Sequence, residues 1–244
     1  IFTEEELAFP LLRGRLLHAF AEAVALNVDS DVARLKIMDA YQEILAAPIW
    51  LRSRRLDTWR TVLDRTKMWI ETHRHIFEQV GVEVEAEVTI AEGMKLRGRI
   101  DRLEKTMDGD YHIVDFKSGT NSPSEKTIAD HIQLLTYQLI LHHGAFDGTK
   151  IRTARSTESG MTVDGATLVY PEKDTKKIWS ITQAAKTEEQ LAEFENQLPD
   201  LLQALRGPEL QARRNPRCVT CKLKPICPVF DTGKWTTEPT TNVS

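Results

Sequence analysis

The pattern of apolar residues predicts an α/β fold: a central mixed sheet, led by antiparallel strands and flanked by helices, with an extra helical part at the N-terminus. Three observations carry this expectation. Apolar side chains recur at helical spacing over residues 4–26, 31–47 and about 55–79. Strict apolar–polar alternation then takes over through residue 117. A second alternating pair, within residues 166–181, lies between two further helical stretches. At 244 residues, 41% hydrophobic and 28% charged, the chain is long and apolar enough for a real core. Its net charge of −4 excludes a global basic field for nucleic acid, while a local basic channel stays compatible. It has no apolar run long enough for a membrane span and no signal-peptide pattern, so a cytoplasmic location is expected. The chain opens at Ile1, inside a helical pattern and without Met, and reads as a piece of a larger protein.

Taken in order, residues 4–26 carry Leu7, Leu11, Leu17, Phe20 and Val24 at helical spacing, with Gly14 and His18 four apart on a shared face. Residues 31–47 repeat the pattern with Val32, Leu35, Ile37, Met38, Tyr41 and Ile44, and stop near Pro48. The third helix, about 55–79, places Leu56, Trp59, Val62, Leu63, Trp69, Ile70 and Phe77, next to the densest basic stretch of the chain (Arg52, Arg54, Arg55, Arg60, Arg65, Lys67). Such a stretch is ordinarily a solvated helix face. From 82 to 90 the alternation of Val82, Val84, Ala86, Val88 and Ile90 against Glu83, Glu85, Glu87 and Thr89 predicts the first strand of a meander. Residues 118–124 are a loop by composition, 126–143 a helix, and 144–163 a polar connecting loop. Strands follow at 166–170 and 177–181, then an amphipathic helix over 187–206.

The chemistry concentrates in residues 94–117. Two alternating runs flank a turn of Met107, Asp108, Gly109 and Asp110, which is a hairpin signal. Residues two apart share a face, so Asp115 and Lys117 point one way while Val114 and Phe116 point the other. With the strands in register, Asp101 joins Asp115 and Lys117 on one side of the sheet. Two close carboxylates repel unless a divalent cation lies between them. A lysine beside them suits a water or a developing anion at that cation. An ordinary hairpin with surface charges is the alternative for Asp-x-Lys taken alone.

The wider constellation raises the expectation. Gly98-Arg99-Ile100-Asp101-Arg102, Lys117-Ser118-Gly119 and the Gln133-x-x-x-Tyr137 pair together resemble the RecB-like branch of the PD-(D/E)xK nuclease superfamily. The resemblance runs from the helix holding His18 to the cysteines near the end. It implies a restriction-endonuclease-like core and hydrolysis of DNA with Mg²⁺ or Mn²⁺. His18, Asp101, Asp115 and the Phe116 carbonyl would hold the cation, and Lys117 would orient a water or stabilise the transition state. Gln133 and Tyr137 would orient Lys117, the waters or the DNA backbone, and a glutamate of the first strand, Glu85 or Glu87, would complete the acids. It implies the nuclease domain (residues 1–217, with a helical part at 1–81 and the catalytic core at 82–206) of a bacterial helicase–nuclease in double-strand-break repair. No G-x-x-x-x-G-K-[ST] motif occurs, so the motor is expected on another chain or segment. A stand-alone Cas-associated-type exonuclease and a catalytically silent DNA- or partner-binding module are the rival readings.

The remaining motif is Cys218, Cys221 and Cys227, the only cysteines in the chain, in a tail at 218–244. In a chain of intracellular character such a cluster points to metal or cluster ligation rather than disulfides. Three thiolates are one short of a closed zinc or four-cysteine site. The spacing resembles the iron–sulfur staple of AddB-type nucleases, which implies a [4Fe–4S] cluster completed by a cysteine upstream of Ile1.

Overall fold

The structure is a computed structural model that describes residues 4–90, 93–157, 159–173, 175, 178–206, 212, 214–219 and 221–230. The chain divides into two compact units, residues 1–192 and 193–244. In the first, three helices precede the sheet: α1 (Glu4–Ala25), α2 (Ser30–Ile44) and α3 (Ile49–His73). Asp29 caps α2 by accepting hydrogen bonds from the amides of Asp31 and Val32. The chain leaves α1 through Asn27 at a φ of 58°, and Arg74 donates to the carbonyls of Val24 and Ala25 at the C-terminal end of the helix. Leu17, Phe20, Val24, Tyr41, Trp59, Leu63 and Ile70 form one core with Val114 and Phe116 of the sheet. Tyr41 stacks on Trp59 at 4.7 Å, and Trp69 meets Phe116 edge-on. Leu11, Val32 and Leu35, three apolar positions of the helical patterns, stay exposed.

Seven strands make one mixed sheet: β1 (Glu78–Thr89), β2 (Lys95–Lys105), β3 (Tyr111–Phe116), β4 (Gly144–Phe146), β5 (Lys150–Thr153), β6 (Val163–Tyr170) and β7 (Trp179–Ala184). Their order is β4-β5-β1-β2-β3-β6-β7. The β1–β2–β3 meander, the β4–β5 hairpin and the β6–β7 hairpin are antiparallel, and the parallel joints are β5 to β1 and β3 to β6. This is the expected mixed α/β sheet flanked by helices. Among the described residues no helix is long and apolar enough to cross a membrane.

Several boundaries differ from the sequence expectation. The third helix ends at His73 and β1 begins at Glu78, since the turn between them packs its rings in a stack of Trp69, His73 and Phe77. The helix expected from residue 126 is α4 (Ile132–His143). Just before it, Gln183 of β7 donates to the carbonyls of Ile128, Ala129 and His131, which a continuous helix would have needed for its own ladder. The stretch expected as a connecting loop at 144–163 contains β4 and β5, because β5 finds a parallel partner in β1 and buries Ile151. A turn joins β4 to β5, where Asp147 accepts three hydrogen bonds from Thr149 and Lys150 and Gly148 takes a φ of 95°. The last strand is shifted to Trp179–Ala184, and Lys177, where it was expected to begin, lies outside the described residues.

The helix α5 (Glu188–Arg206) begins in the first unit and continues into the second. Within the second unit, two short 3₁₀ turns hold Pro216–Val219 and Lys224–Ile226. Arg214 and Lys224 both lie over the ring of Phe230. Cys218 and Cys227 are half-buried and Cys221 is exposed. The amide of Asn215 donates to Cys218 Sγ at 3.3 Å. The tail expected at 218–244 lies outside the described residues beyond 230.

Candidate active site

The β2–β3 register pairs Arg102 with Val114, so the next position sets Asp101 opposite Asp115. There the ladder opens. The amide of Phe116 turns towards β2 and donates to Asp101 Oδ2 at 2.7 Å, a carboxylate standing where a strand carbonyl would serve. On the far side, Lys117 N still donates to Val169 of β6. The sheet therefore splits at its centre, and the two aspartates sit in the split. Both are buried, Asp115 almost completely at 1% exposure.

Helix α4 closes one side. Gln133 Nε2 donates to Asp115 Oδ1 at 2.7 Å, and its Oε1 accepts from Lys117 Nζ at 2.6 Å. An ammonium can only donate and a carboxylate only accept, so this pair of neighbours fixes which way the amide faces. Gln133 Nε2 also donates to Tyr137 Oη, whose own proton goes to the carbonyl of Arg99 at 2.8 Å. Burial and the charge of Asp115 push the Tyr137 phenol up to about 12, so it remains a donor. Gly98 makes room for that ring, because a Cβ there would come within 2.9 Å of it. His131, at the N-cap of α4, is held below its ordinary value by burial and by the Lys117 charge.

Helix α1 closes the other side. His18 Nδ1 lies 3.1 Å from Asp101 Oδ1 and 3.7 Å from Glu83 Oε1. Burial opposes charge on this imidazole, yet the hydrogen bonds to Asp101 and Glu83 and the charge of Asp115 outweigh it and raise His18 to about 10. Gly14, one turn earlier, lets the loop after β3 approach, with Ser118 Oγ 3.3 Å from where a Cβ would stand.

Glu83, rather than Glu85 or Glu87, is the strand glutamate at this place. The β1–β2 register puts it across from Asp101, and its φ of 49° is a left-handed conformation unusual for glutamate. Glu85 and Glu87 are exposed and pair with Arg99 and with Lys95 and Arg97. The ladder pairs Thr89 with Lys95 and so carries Glu83 opposite Asp101; a count centred on Gly93 would have brought Glu85 there, and plain alternation gave no reason to prefer either. Among the described residues, His18, Glu83 and Asp101 are the one group of three ligand-type side chains whose donor atoms lie within 4.8 Å of one another, so the three cysteines form no such group.

The electrostatics are those of an acid-rich split. Burial first, then the charge of Asp101, raises Asp115 to about 6 against the opposing pull of Lys117 and His18. Lys117 Nζ is 2.7 Å from Asp115 Oδ2 and pairs with that buried oxygen as an ion pair. The His18 imidazole with the carboxylates of Glu83 and Asp101, next to Asp115, is a donor set that fits a divalent cation of the Mg²⁺ or Mn²⁺ kind.

No curated protein matches the chain. Among solved structures, one described as the crystal structure of SSO0001 is 18% identical, with 88% of this chain and 84% of that chain covered and a TM-score of 0.34. A profile of the PD-(D/E)XK nuclease superfamily matches residues 3–228, nearly the whole chain, and with the split sheet and its paired aspartates and lysine already described, the chain belongs to that superfamily.

Proposed function

We propose that this protein is a metal-dependent deoxyribonuclease that hydrolyses phosphodiester bonds at the Asp101–Asp115–Lys117 split. The observation that carries the reading is the cluster of His18, Glu83 and Asp101, whose donor atoms lie within 4.8 Å of one another beside the Asp115–Lys117 ion pair. His18, Glu83, Asp101 and Asp115, with the Phe116 carbonyl, would hold a Mg²⁺ or Mn²⁺ ion. When bound, the ion supplies a lowered pKa for water and neutralises charge on the scissile phosphate. Lys117, held between Asp115 and Gln133, keeps a positive charge where negative charge develops on that phosphate. Gln133 and Tyr137 are positioning residues: they hold the Lys117 ammonium and the Asp115 carboxylate in place.

The finer reading is a RecB-like nuclease domain that works with a helicase motor in double-strand-break repair, and the motifs around Asp101, Lys117 and Gln133 support it. It assigns Cys218, Cys221 and Cys227 to an iron–sulfur cluster with a fourth ligand; support for this is their spacing alone. The test of the core reading is cleavage of labelled DNA with Mg²⁺, Mn²⁺ or EDTA by the protein and its Asp115→Asn variant. Metal-dependent cutting that the variant loses is expected; equal cutting by both would end the reading. Iron content after anaerobic purification tests the cluster separately.

A further inference from the structure

The nuclease site opens onto a sheet face that the reaction itself does not use. Strand β2 changes character at Ile100: residues Ile100 to Glu104 are all buried, whereas from Lys95 to Arg99 every second residue faces solvent. On that open face the register builds cross-sheet rows. Glu85 of β1 stands between Arg99 of β2 and Lys150 of β5, and Glu87 stands between Arg97 and Arg152. Lys95 adds a further cation beside Glu87 at 2.7 Å. With Glu83, which also pairs with Arg99 at 3.5 Å, five cations stand among three carboxylates in a chain whose net charge is −4. Three clefts of about 470, 420 and 550 Å³ run into one another here. The first contains His18 and Glu83, the second shares Glu83 and Arg99 with it, and the third shares Arg99, Glu85 and Lys150 with the second.

We propose that this face is a phosphate track, which holds the backbone of the substrate strand for several nucleotides to one side of the scissile bond; this rests on the nuclease reading above. Charge selects the occupant. The excess cations suit a polyanion, and the ion pairs that now satisfy them are cheap to exchange. Arg97 and Arg99 are 70% and 59% exposed, and solvent-exposed pairs of this kind contribute little. A phosphate arriving beside Arg97 takes over the Lys95 and Arg97 donors that Glu87 now holds. The six steps from Lys95 to Asp101 span about 20 Å at about 3.3 Å each. With one phosphate per about 3.4 Å along each strand of a duplex, that length accepts a handful of phosphates. The whole-chain acidity then has a role: it confines binding to the path that ends at the metal ligands.

The test is anisotropy of a fluorescein-labelled 20-nucleotide DNA with the whole protein in Ca²⁺, titrated over NaCl. Binding of Mn²⁺, measured by calorimetry, reports that each variant keeps its fold. The Arg97→Gln/Arg152→Gln double variant should bind on the order of tenfold more weakly. Its plot of log affinity against log salt should be shallower by about 1.4 to 1.8, the loss of two phosphate contacts. Glu87→Gln should tighten binding by removing the competing carboxylate. Wild-type affinity and slope in the double variant would overturn the track, leaving an ordinary lattice of surface ion pairs. Equal displacement of the DNA by polyglutamate would overturn it in favour of an acidic peptide partner. If the protein binds DNA through these residues and cuts none with any metal, the nuclease reading fails while the track stands.

Discussion

Two buried charge clusters lie one residue apart on β2, and their difference separates architecture from chemistry. The first centres on Arg102 and Glu104, both essentially inaccessible. Arg102 Nε donates to Glu104 Oε1 at 2.5 Å, another of its nitrogens donates to the side-chain oxygen of Gln79, and His73 faces Glu104 Oε2 at 3.4 Å. Burial alone would raise Glu104, but the bonds from His73 and Arg102 win and hold it below the usual carboxylate range. Charge here is balanced within the cluster. The second cluster, Asp101 and Asp115 with Glu83, meets its acids with His18, Lys117 and Arg99, yet burial and the Asp101 charge push Asp115 up rather than down. A buried pair of opposite charges ties strands together; buried carboxylates crowded against one another suit a cation.

The sharpest way to break the comparison is to neutralise one acid in each cluster. Asp115→Asn should lower DNA cleavage by at least about a hundredfold. It should leave the metal-free protein as stable as before or more so above pH 6, because a carboxyl whose folded pKa is raised opposes folding once ionised. Glu104→Ala should do the reverse and destabilise by about 3–5 kcal/mol, since it leaves Arg102 buried without its partner. Urea titration of both variants, beside a cleavage assay, checks the pair; a stable Glu104→Ala protein would contradict the architectural role.

A pH series sharpens it. With His18 raised to about 10, its proton must leave before the ring can bind a cation. Mn²⁺ affinity should therefore rise about tenfold per pH unit between 6.5 and 9, with one proton released, as calorimetry in buffers of different ionisation enthalpy would read. Without metal the sign is opposite: the stability from His18 is fully present below pH 6.5 and drains away as pH rises towards 10. His18→Gln should flatten both dependences. The smallest effect belongs to Tyr137→Phe, which removes the bond to the Arg99 carbonyl; about 1 kcal/mol of stability should be lost, with a modest fall in kcat and an unchanged KM.

Much of this arrangement was legible before any coordinates. The juxtaposition of Asp101, Asp115 and Lys117 follows from one hairpin and the two-residue period of strands, and that of Gln133 and Tyr137 from one helix and its four-residue spacing. Both are short-range rules, so residues close in sequence settle them. What tertiary structure alone decided lies at longer range. His18 is brought to Asp101 across more than eighty positions by the packing of α1, and Glu83 displaces Glu85 and Glu87 through a single left-handed residue that alternation does not foresee. The start of α4 depends on Gln183, and β4 and β5 exist because β1 offers them an edge. Local periodicity tells which side of its own element a residue takes; which elements meet, and where a strand must bend to let them, depends on the packing of the whole core.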